Sequence, residues 1–332
     1  MLYKIIDQNI SIKNTGNSVE KIIPLNGIVD IMHSSYNLSN NFLALSGSKD
    51  KKNYSLFIYD IGKSMCLIEF PGKYYDLYWL SDNILFYNDG KSIISLDVIK
   101  NERKKLFKFS TIEYSPVYIS INKDKNKLCF LKAKDDYNKI SIFDITKEEV
   151  KIMKYSCYQY CWHDQNNVLF NFNNGIKMLN INLEKSSSFI DKIYDFAVGY
   201  ECSEYATQIN DILKLLNSDS LFISNIGNPK QNNNRIYFEI FIHTKKDKRI
   251  GVFSLNHEKK DLKIHFLDKI GLLRNYYLFN DPNLICVDIV ANNLIKEKIE
   301  PGYKYYKDNE YIDMNGYLPL YTLGHFSNNS IV

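Results

Sequence analysis

The amino-acid sequence predicts an all-β protein that is built from repeated, four-stranded antiparallel sheets. Three observations support this fold class. A short strand motif recurs six times, turns rich in Asn, Asp and Gly separate short apolar runs, and Tyr and Phe raise the aromatic share of the 332 residues to 14%. Aromatic residues favour strands, and internal repeats of about 20–50 residues indicate a repeat architecture.

Each copy of the motif begins with Ile or Leu and ends with a bulky residue, a short polar residue and an aliphatic residue. Neighbouring copies lie 34 to 47 residues apart, except for one interval of 74 residues that is about two units long. Because alternate residues of a strand face opposite sides and both sides are apolar here, both faces must be covered. The short polar residues are Asp60, Asp97, Asp144, Asn180, Ser254 and Asp288.

The residues around the motif predict four strands joined by polar turns. Short strands separated by Asn, Asp and Gly turns are typical of antiparallel hairpins. Sheets that stack face to face around an axis cover both faces of each strand, which is the arrangement of a β-propeller. The clearest predicted strands are 76–80, 84–87, 93–98 and 105–109 in the second unit, and 160–162, 168–172 and 176–181 in the fourth.

Two stretches resemble known propeller repeats. Residues 56–67 look like a WD repeat, with Tyr59-Asp60 at the position of the Trp-Asp pair, and residues 121–130 are similar to the first hairpin of TolB-like repeats. The resemblance extends loosely over about residues 29–300. The Gly-His pair of WD repeats and the Pro of the TolB-like turn are missing. The resemblance implies a β-propeller with four-stranded antiparallel blades.

We predict one domain over residues 1–332, with seven blades favoured and six as the runner-up. Residues 305–312 resemble the first hairpin of a unit, and the N-terminal segments 3–12 and 20–23 supply its missing half. A ring that strands from both termini close has no open sheet edge.

The long interval between the fourth and fifth copies predicts a helical insertion near residues 203–217. Apolar residues recur there with the spacing of an amphipathic helix, at Ile209, Ile212, Leu213 and Leu216. The alternative is a further degenerate unit.

Composition and charge exclude several classes of function. The net charge of +4 is small, and basic stretches such as 245–249 are short and broken by acidic residues, so no nucleic acid is expected as a partner. No run approaches the length of a membrane span, and we expect no membrane association. The six cysteines fall mostly in apolar strand patterns, which is typical of a reducing compartment. We therefore expect a cytoplasmic, monomeric protein without a cofactor.

The residues that suggest metal binding or catalysis do not form a convincing set. Cys157 and Cys161 would lie about 13 Å apart on a strand, which argues against a zinc site with His163. The repeated polar residues end strands, where a structural hydrogen bond to a turn is the favoured interpretation. No catalytic residue and no metal ligand is predicted.

The two tryptophans are the most distinctive candidates for a binding site. Trp79 and Trp162 take equivalent places two blades apart, each at the end of a first strand beside a turn. Packing between blades is the favoured interpretation. The alternative is a recognition face, because aromatic residues are typical binding hot spots. The residues of that predicted face are Trp79, Trp162, His163, Asp164, Tyr78, Tyr160 and His33.

Two functions are compatible with these patterns. The first is a non-catalytic propeller that binds a protein or peptide partner, a prediction that rests on fold-level analogy. The alternative is an enzyme or small-ligand binder that uses the central channel of a propeller. Its candidate residues are His33, Asp76, His163 and Asp164.

Overall fold

The structure of the protein is a computed structural model. It describes residues 2–6, 9–13, 20–25, 27–37, 39–108, 117–134, 137–172, 175–190, 221–232, 234–244, 248–256, 261–269, 272–278, 284–290, 302–308, 310–313 and 318–319. Every regular element in these ranges is a β-strand, which confirms the all-β class. The helix predicted at 203–217 lies outside the described residues.

The described residues form seven antiparallel sheets of four strands each. The terminal sheet contains β1 (Leu2–Ile6), β2 (Asn9–Lys13) and β3 (Glu20–Pro24), completed by the last strand of the chain. Sheet 1 contains β4 (Asp30–Asn37), β5 (Phe42–Ser48), β6 (Tyr54–Asp60) and β7 (Met65–Pro71). Sheet 2 contains β8 (Tyr75–Trp79), β9 (Ile84–Asn88), β10 (Ser92–Asp97) and β11 (Glu102–Lys108). Sheet 3 contains β12 (Val117–Ile121), β13 (Lys127–Lys134), β14 (Tyr137–Asp144) and β15 (Glu149–Ser156).

Three further sheets follow in chain order. Sheet 4 contains β16 (Tyr160–Trp162), β17 (Asn167–Phe172), β18 (Gly175–Asn180) and β19 (Lys185–Ile190). Sheet 5 contains β20 (Leu221–Asn232), β21 (Arg235–Thr244), β22 (Lys248–Asn256) and β23 (Leu262–Lys269). Sheet 6 contains β24 (Leu272–Leu278), β25 (Leu284–Val290), β26 (Gly302–Lys307) and β27 (Glu310–Ile312). The last strand, β28 (Leu318–Pro319), pairs with β1.

The chain divides into two compact units, the first formed by residues 1–156 with 315–327 and the second by 157–314 with 328–332. The first unit holds the terminal sheet and sheets 1–3, and the second holds sheets 4–6.

The core of the first unit lies between its stacked sheets. In β6, Leu56 and Ile58 belong to a cluster shared by sheets 1 and 2, while Phe57 and Tyr59 belong to a cluster shared with the terminal sheet. Sheets 2 and 3 share a third cluster. The prediction that both faces of the third strand are covered is therefore confirmed. Burial of apolar surface, at about 25 cal/mol per Å², favours this stacking.

The second unit is stacked in the same way. Ile236, Phe238 and Ile240 of β21 pack in a cluster shared by sheets 4 and 5, while Tyr237 packs in a cluster shared by sheets 5 and 6. The middle strands of each sheet are thus buried on two faces, whereas several fourth strands carry exposed lysines, as in β11 and β15. Charged edge strands discourage pairing with other chains.

The sixth copy of the motif requires a correction. The first five copies lie in third strands, but β25 is the second strand of sheet 6, paired with β24 and β26. Residues 305–312, predicted as the first hairpin of a new unit, instead belong to its third and fourth strands. The sequence motif did not distinguish a second strand from a third strand, because both are buried on two faces.

The favoured count of seven blades also requires a correction. Six sheets consist of four consecutive strands, which is the runner-up count. The terminal sheet differs because it joins three N-terminal strands to β28, and the pairing of β1 with β28 covers only two residues. Strands from both termini share this sheet, but the N-terminal strands pair with β28, whereas the sequence predicted that they complete the unit of residues 305–312. Closure of a ring by the two termini stays a prediction. The described residues of the 74-residue interval form no additional unit, since β19 ends at Ile190 and β20 opens sheet 5 at Leu221.

The repeated polar residue closes a turn at the end of the third strand. Oδ1 of Asp97 accepts the backbone N–H groups of residues 99 and 100, and Oδ1 of Asp144 accepts those of 146 and 147. Asn180 bonds residues 182 and 183 in the same way, and Asp60 bonds residue 63. The predicted role as a structural hydrogen bond to a turn is confirmed for these four copies.

A second set of bonds joins this turn to the preceding hairpin. The residue after each of these polar residues donates its N–H to the carbonyl of an Asn, at 2.9 Å in all four cases. Those asparagines are Asn41, Asn83, Asn126 and Asn166. The four repeats therefore share one turn-to-turn contact that the strand motif did not reveal.

Candidate functional site

Trp79 packs between sheets 1 and 2. Its indole Nε1 donates to the backbone carbonyl of Ser35, at 3.2 Å, and its ring stacks on Phe42 with 5.8 Å between ring centroids. The neighbouring Tyr78 is 6% exposed and donates its hydroxyl hydrogen to the carbonyl of Ile119 in sheet 3. Both side chains thus tie one sheet to the next.

The second group of predicted residues lies on β16 and the turn after it. Trp162 and Tyr160 are buried, with 8% and 3% of their surface exposed. The His163 ring is partly exposed and lies 5.6 Å from the ring of Phe189. Asp164 is exposed, and its Oδ1 accepts the N–H groups of residues 166 and 167 at 2.7 and 2.8 Å.

Hydrogen bonding also sets the acidity of Asp164. Partial burial by itself raises the pKa of its carboxyl, but hydrogen bonds from Asn167 and Asn166 outweigh that effect and lower it. Asp164 therefore closes the β16–β17 turn as a carboxylate.

His33 lies in the first strand of sheet 1, at a shift in register between Ile31 and His33. Its ring and that of Tyr75 in sheet 2 form a T-shaped pair, with 5.7 Å between centroids. The side chain is partly exposed, and burial lowers the pKa of its imidazole to about 4. His33 is therefore neutral at physiological pH.

The structure brings the predicted residues together in two groups. Tyr78, Trp79 and His33 lie in the first unit, and Tyr160, Trp162, His163 and Asp164 lie in the second. Both tryptophans and both tyrosines contribute mainly to packing between strands and sheets. Their participation in recognition stays a prediction.

An exposed aromatic surface lies on sheet 4, next to the predicted residues. Tyr158 precedes β16 and is 68% exposed, and Phe172 ends β17 and is 37% exposed. Nζ of Lys177 lies 4.3 Å from the Phe172 ring centroid. We call Tyr158, Phe172 and Lys177 the Tyr158 surface. The sequence pattern did not predict this surface, because Tyr158 stands between Cys157 and the start of a strand, where the pattern predicts packing.

Hydrogen bonds fix the backbone that carries Tyr158. Oδ1 of Asn171 accepts the N–H groups of Tyr158 and Gln159 at 3.2 and 2.9 Å, and the Asn171 N–H donates to the Gln159 carbonyl at 3.1 Å. Oε1 of Gln159 accepts the N–H of Asn228 in sheet 5 at 2.7 Å. The exposed ring therefore projects from an ordered segment.

The first strands of sheets 2 and 5 contain the same irregularity. Asp76 and the residue after it face a single residue of β9, and Asn228 and the residue after it face a single residue of β21. The backbone φ angle is +51° at Asp76 and +47° at Asn228. Asp and Asn adopt this left-handed conformation more readily than other non-glycine residues. Such bulges redirect side chains and are frequent beside functional sites.

Each bulge carries a hydrogen-bonded pair of one acidic and one amide side chain. The acid lies in the bulge in sheet 2, whereas the amide lies in the bulge in sheet 5. In sheet 2, Nδ2 of Asn88 donates to Oδ2 of Asp76 at 3.4 Å. In sheet 5, Nδ2 of Asn228 donates to Oε1 of Glu239 at 2.5 Å. Asn88 and Glu239 hold equivalent positions, since each lies opposite the residue that precedes the bulge.

The bulge in sheet 5 is followed by a buried lysine. Lys230 is 5% exposed, and its ammonium group donates to the backbone carbonyl of Tyr276 in sheet 6. Its Nζ lies 4.3 and 5.5 Å from the ring centroids of Tyr276 and Tyr277. Tyr78 holds the equivalent position in sheet 2, two residues after the bulge, and it also donates to a carbonyl of the next sheet.

Lys230 and Glu239 shift each other's pKa. Burial lowers the pKa of Lys230, and the negative charge of Glu239 counteracts this. Burial raises the pKa of Glu239, and the hydrogen bond from Asn228 and the charge of Lys230 counteract that. No sequence motif predicted a role for either residue. A single carboxylate within the apolar run 236–242 was the available signal, because buried charges are rare unless they are paired.

Ser254 and His265 form a hydrogen-bonded pair that resembles a nucleophile with its base. Their Oγ and Nε2 atoms are 2.7 Å apart. Both residues are buried, and Nε of Arg235 donates to the same Oγ at 2.8 Å. Arg235 also pairs with Asp261 at 2.6 Å, so the cluster joins three strands of sheet 5. Ser254 stands where four other sheets carry the turn-closing Asp or Asn.

The described part of the chain contains no group of three or more His, Cys, Asp and Glu residues that could hold a metal ion. Among the same residues, no helix is long and apolar enough to cross a membrane.

Comparisons of the sequence identify no relatives. No protein-family model matches the chain, and no curated protein matches it.

Comparisons of the structure show a shared fold. An oligogalacturonate lyase from Vibrio parahaemolyticus has a TM-score of 0.60 at 10% identity, covering 90% of this chain and 81% of the lyase. A chain of the mitotic checkpoint complex has a TM-score of 0.55 at 12% identity, covering 93% and 84%. The β-propeller domain of Cps50 (Swd1) from Myceliophteria thermophila has a TM-score of 0.52 at 10% identity, covering 87% and 88%.

Identities this low show the fold alone. The chain thus has a β-propeller fold with four-stranded antiparallel blades, and the predicted resemblance to propeller repeats is confirmed at that level.

Proposed function

We propose that this protein is a non-catalytic propeller that binds a protein or peptide partner through the Tyr158 surface. The observation that carries the proposal is the exposure of Tyr158, at 68%, on a backbone segment held by hydrogen bonds. Tyrosine is enriched among the residues that dominate binding energy. A side chain on an ordered segment also loses little freedom when a partner binds, so more of the contact energy appears as affinity.

The chemistry of the surface suits a peptide segment with apolar and acidic side chains. Tyr158 and Phe172 offer two aromatic rings, and Lys177 places a cation beside Phe172. One chain of the mitotic checkpoint complex, a protein assembly, shares the fold of this chain. That likeness supports the proposal only by analogy of fold.

Affinity measurements test the proposal. A tagged protein would first be used to isolate a stoichiometric partner from the cells of origin, and the purified pair would then be studied by calorimetry. We expect Tyr158→Ala to weaken binding at least tenfold, because loss of a central aromatic residue costs about 2 kcal/mol or more. Phe172→Ala should weaken it in the same direction.

Leu183→Ala is the matched control. Leu183 is 67% exposed and lies in the turn after β18, at the opposite end of sheet 4 from Phe172. This variant should bind like the original protein. A partner whose affinity is unchanged by both Tyr158→Ala and Phe172→Ala would contradict the proposal.

The proposal extends to the organisation and setting of the protein. We propose a single, monomeric domain of cytoplasmic location that engages no nucleic acid and no membrane. The small net charge of +4 supports the absence of nucleic-acid binding. An enzymatic or small-ligand role in the channel stays the alternative prediction.

A further inference from the structure

The outer strand of sheet 2 concentrates positive charge. β11 contains four basic residues and one acidic residue, a formal charge of +3. The fourth strands of sheets 1 and 3–6 carry between −1 and +1, and the whole chain carries only +4. A negatively charged partner is therefore attracted to β11 more than to any other fourth strand. The basic residues of β11, all exposed, are Arg103, Lys104, Lys105 and Lys108.

Two of these cations share one face of the strand. Residues that lie opposite each other on neighbouring strands point to the same face of a sheet. Arg103 lies opposite Leu96 and Lys105 lies opposite Ile94, and both of these apolar residues pack in the cluster shared by sheets 1 and 2. Arg103 and Lys105 thus lie on the side of sheet 1, about 7 Å apart along the strand.

The contacts of the basic residues leave part of their charge available. The guanidinium carbon of Arg103 lies 4.3 Å from the ring centroid of Phe70 in sheet 1, a stacking contact that leaves the charge without a carboxylate. On the other face, Nζ of Lys104 pairs with Glu148 of sheet 3 at 2.5 Å. Lys105 and Lys108 form no ion pair with any residue that the structure describes.

The backbone of β11 is also open to pairing on one side. The strand pairs with β10 and ends the order of sheet 2, so its other edge faces no strand among the described residues. An edge strand presents backbone N–H and C=O groups to which another chain can bind. Its lysines discourage pairing with a basic strand, whereas opposite charges on neighbouring strands stabilise a pair.

An extended acidic segment matches both properties of this edge. Its own N–H and C=O groups complement those of β11, and acidic residues at alternate positions repeat every 7 Å or so, like Arg103 and Lys105. A nucleic acid or a polyphosphate offers negative charge but has no backbone amides to pair with the carbonyls of the edge. The combination of charge and open edge therefore favours a polypeptide.

We propose that β11 is a docking surface for an acidic segment of a partner protein, which adds to sheet 2 as a fifth, extended strand. Backbone hydrogen bonds supply the pairing, and the basic side chains select the acidic sequence. The inference does not rest on the Tyr158 surface, because β11 lies in the first unit and Tyr158 in the second.

Calorimetric titration of the full chain at low salt tests this inference. The probe is a heptapeptide with blocked termini in which Glu and Val alternate. We expect it to bind saturably at one site, and its affinity should fall as salt is added, because salt screens exposed charges.

Two matched peptides separate charge from strand pairing. One carries Gln at every Glu position and so lacks the charge. The other keeps the acidic side chains but is N-methylated at every residue, so it has no backbone N–H group to donate. Both should bind at least tenfold more weakly than the acidic probe.

Paired substitutions locate the binding on β11. Lys105→Glu combined with Lys108→Glu should weaken binding of the acidic peptide at least tenfold, because attraction becomes repulsion at two positions. The matched control is Lys123→Glu combined with Lys185→Glu, at exposed lysines of sheets 3 and 4, which changes the net charge by the same amount. The control should bind like the original protein. Circular dichroism checks that both variants are folded.

Four results would overturn the inference: no saturable binding of the acidic peptide at millimolar concentration, equal binding of either matched peptide, unchanged binding by the β11 variant, or equal weakening in the control variant. Tyr158→Ala should leave binding of the acidic peptide unchanged. A loss of binding in Tyr158→Ala would place the peptide on the Tyr158 surface and would also overturn the inference. Failure of the β11 surface and failure of the Tyr158 surface are therefore distinguishable.

Discussion

The pKa of a buried carboxyl group depends on whether a group of opposite charge lies beside it. Burial raises the pKa of Asp76 to about 7, and its weak hydrogen bond from Asn88 only partly opposes this. Glu239, at the equivalent bulge, shares its surroundings with Lys230. The two sites are built alike, yet Asp76 has no partner of opposite charge among the residues that the structure describes.

The pH dependence of stability follows from the raised pKa of Asp76. Between the unfolded pKa of 3.8 and the folded value of about 7, the folded protein keeps a proton that the unfolded chain has lost. The stability that this group contributes is therefore fully present below pH 3.8 and is lost as pH rises through 7. We expect Asp76→Asn to gain free energy of unfolding relative to the original protein over this window, by at most about 1.4 kcal/mol per pH unit.

Urea unfolding at pH 5 and pH 7.5, in buffers without amines, measures this difference. Asp82→Asn, at an exposed position in the β8–β9 turn, is the control variant. An Asp76→Asn difference that stays constant between the two pH values would contradict the raised pKa.

At the scale of the element, the repeated polar residue stabilises the turn after the third strand. Asp144 makes the fullest set of contacts, since its Oδ1 accepts from two backbone N–H groups and from the Thr146 hydroxyl. The hydrogen bond from Thr146 and those from the backbone lower the pKa of Asp144. The turn also ends in a left-handed residue, Glu148, with φ +55°.

Substitution of Asp144 tests this role. We expect Asp144→Ala to reduce the free energy of unfolding by about 1–2 kcal/mol, the usual cost of removing a side chain that bonds free backbone N–H groups. Asp144→Asn should cost less, because an amide oxygen also accepts these bonds, as Asn180 does in sheet 4. Thermal or urea unfolding measures both. Equal losses for Ala and Asn would contradict the hydrogen-bonding role.

At the scale of the whole molecule, the sheets fall into two compact units that meet in sequence between Ser156 and Cys157. Each unit has its own stacked core, and the described residues form three buried clusters in the first unit and two in the second. The prediction of a single domain is thus a statement about cooperativity, since two compact units can unfold together or separately.

Calorimetry and proteolysis separate these two cases. If the chain is one domain, thermal unfolding should give a single transition whose calorimetric and van't Hoff enthalpies agree. Limited proteolysis should then produce no pair of stable fragments divided near residue 156. Two transitions, or two protected fragments that remain folded when separated, would contradict the single domain.

The sequence by itself determined the all-β propeller class and the positions of several strands. The predicted strand at 160–162 matches β16, and those at 84–87 and 93–98 match β9 and β10 within one residue at each end. The prediction of these strands succeeds because the alternation of residues along a strand, the turn residues and the apolar character of both faces are local properties of the chain. The turn-closing role of Asp60, Asp97 and Asp144 followed from the same local pattern.

Only the tertiary structure decided which polar residues are brought together. Asp76 and Asn228 lie far apart in sequence, and their equivalence depends on bulges that shift the register by one residue, which no local pattern marks. The partial exposure of His33, the burial of Trp162 and the exposure of Tyr158 likewise depend on which neighbouring sheet covers each side chain. The sequence specifies the chemistry of each side chain, but the burial and pairing of side chains arise from contacts between strands that are distant in sequence.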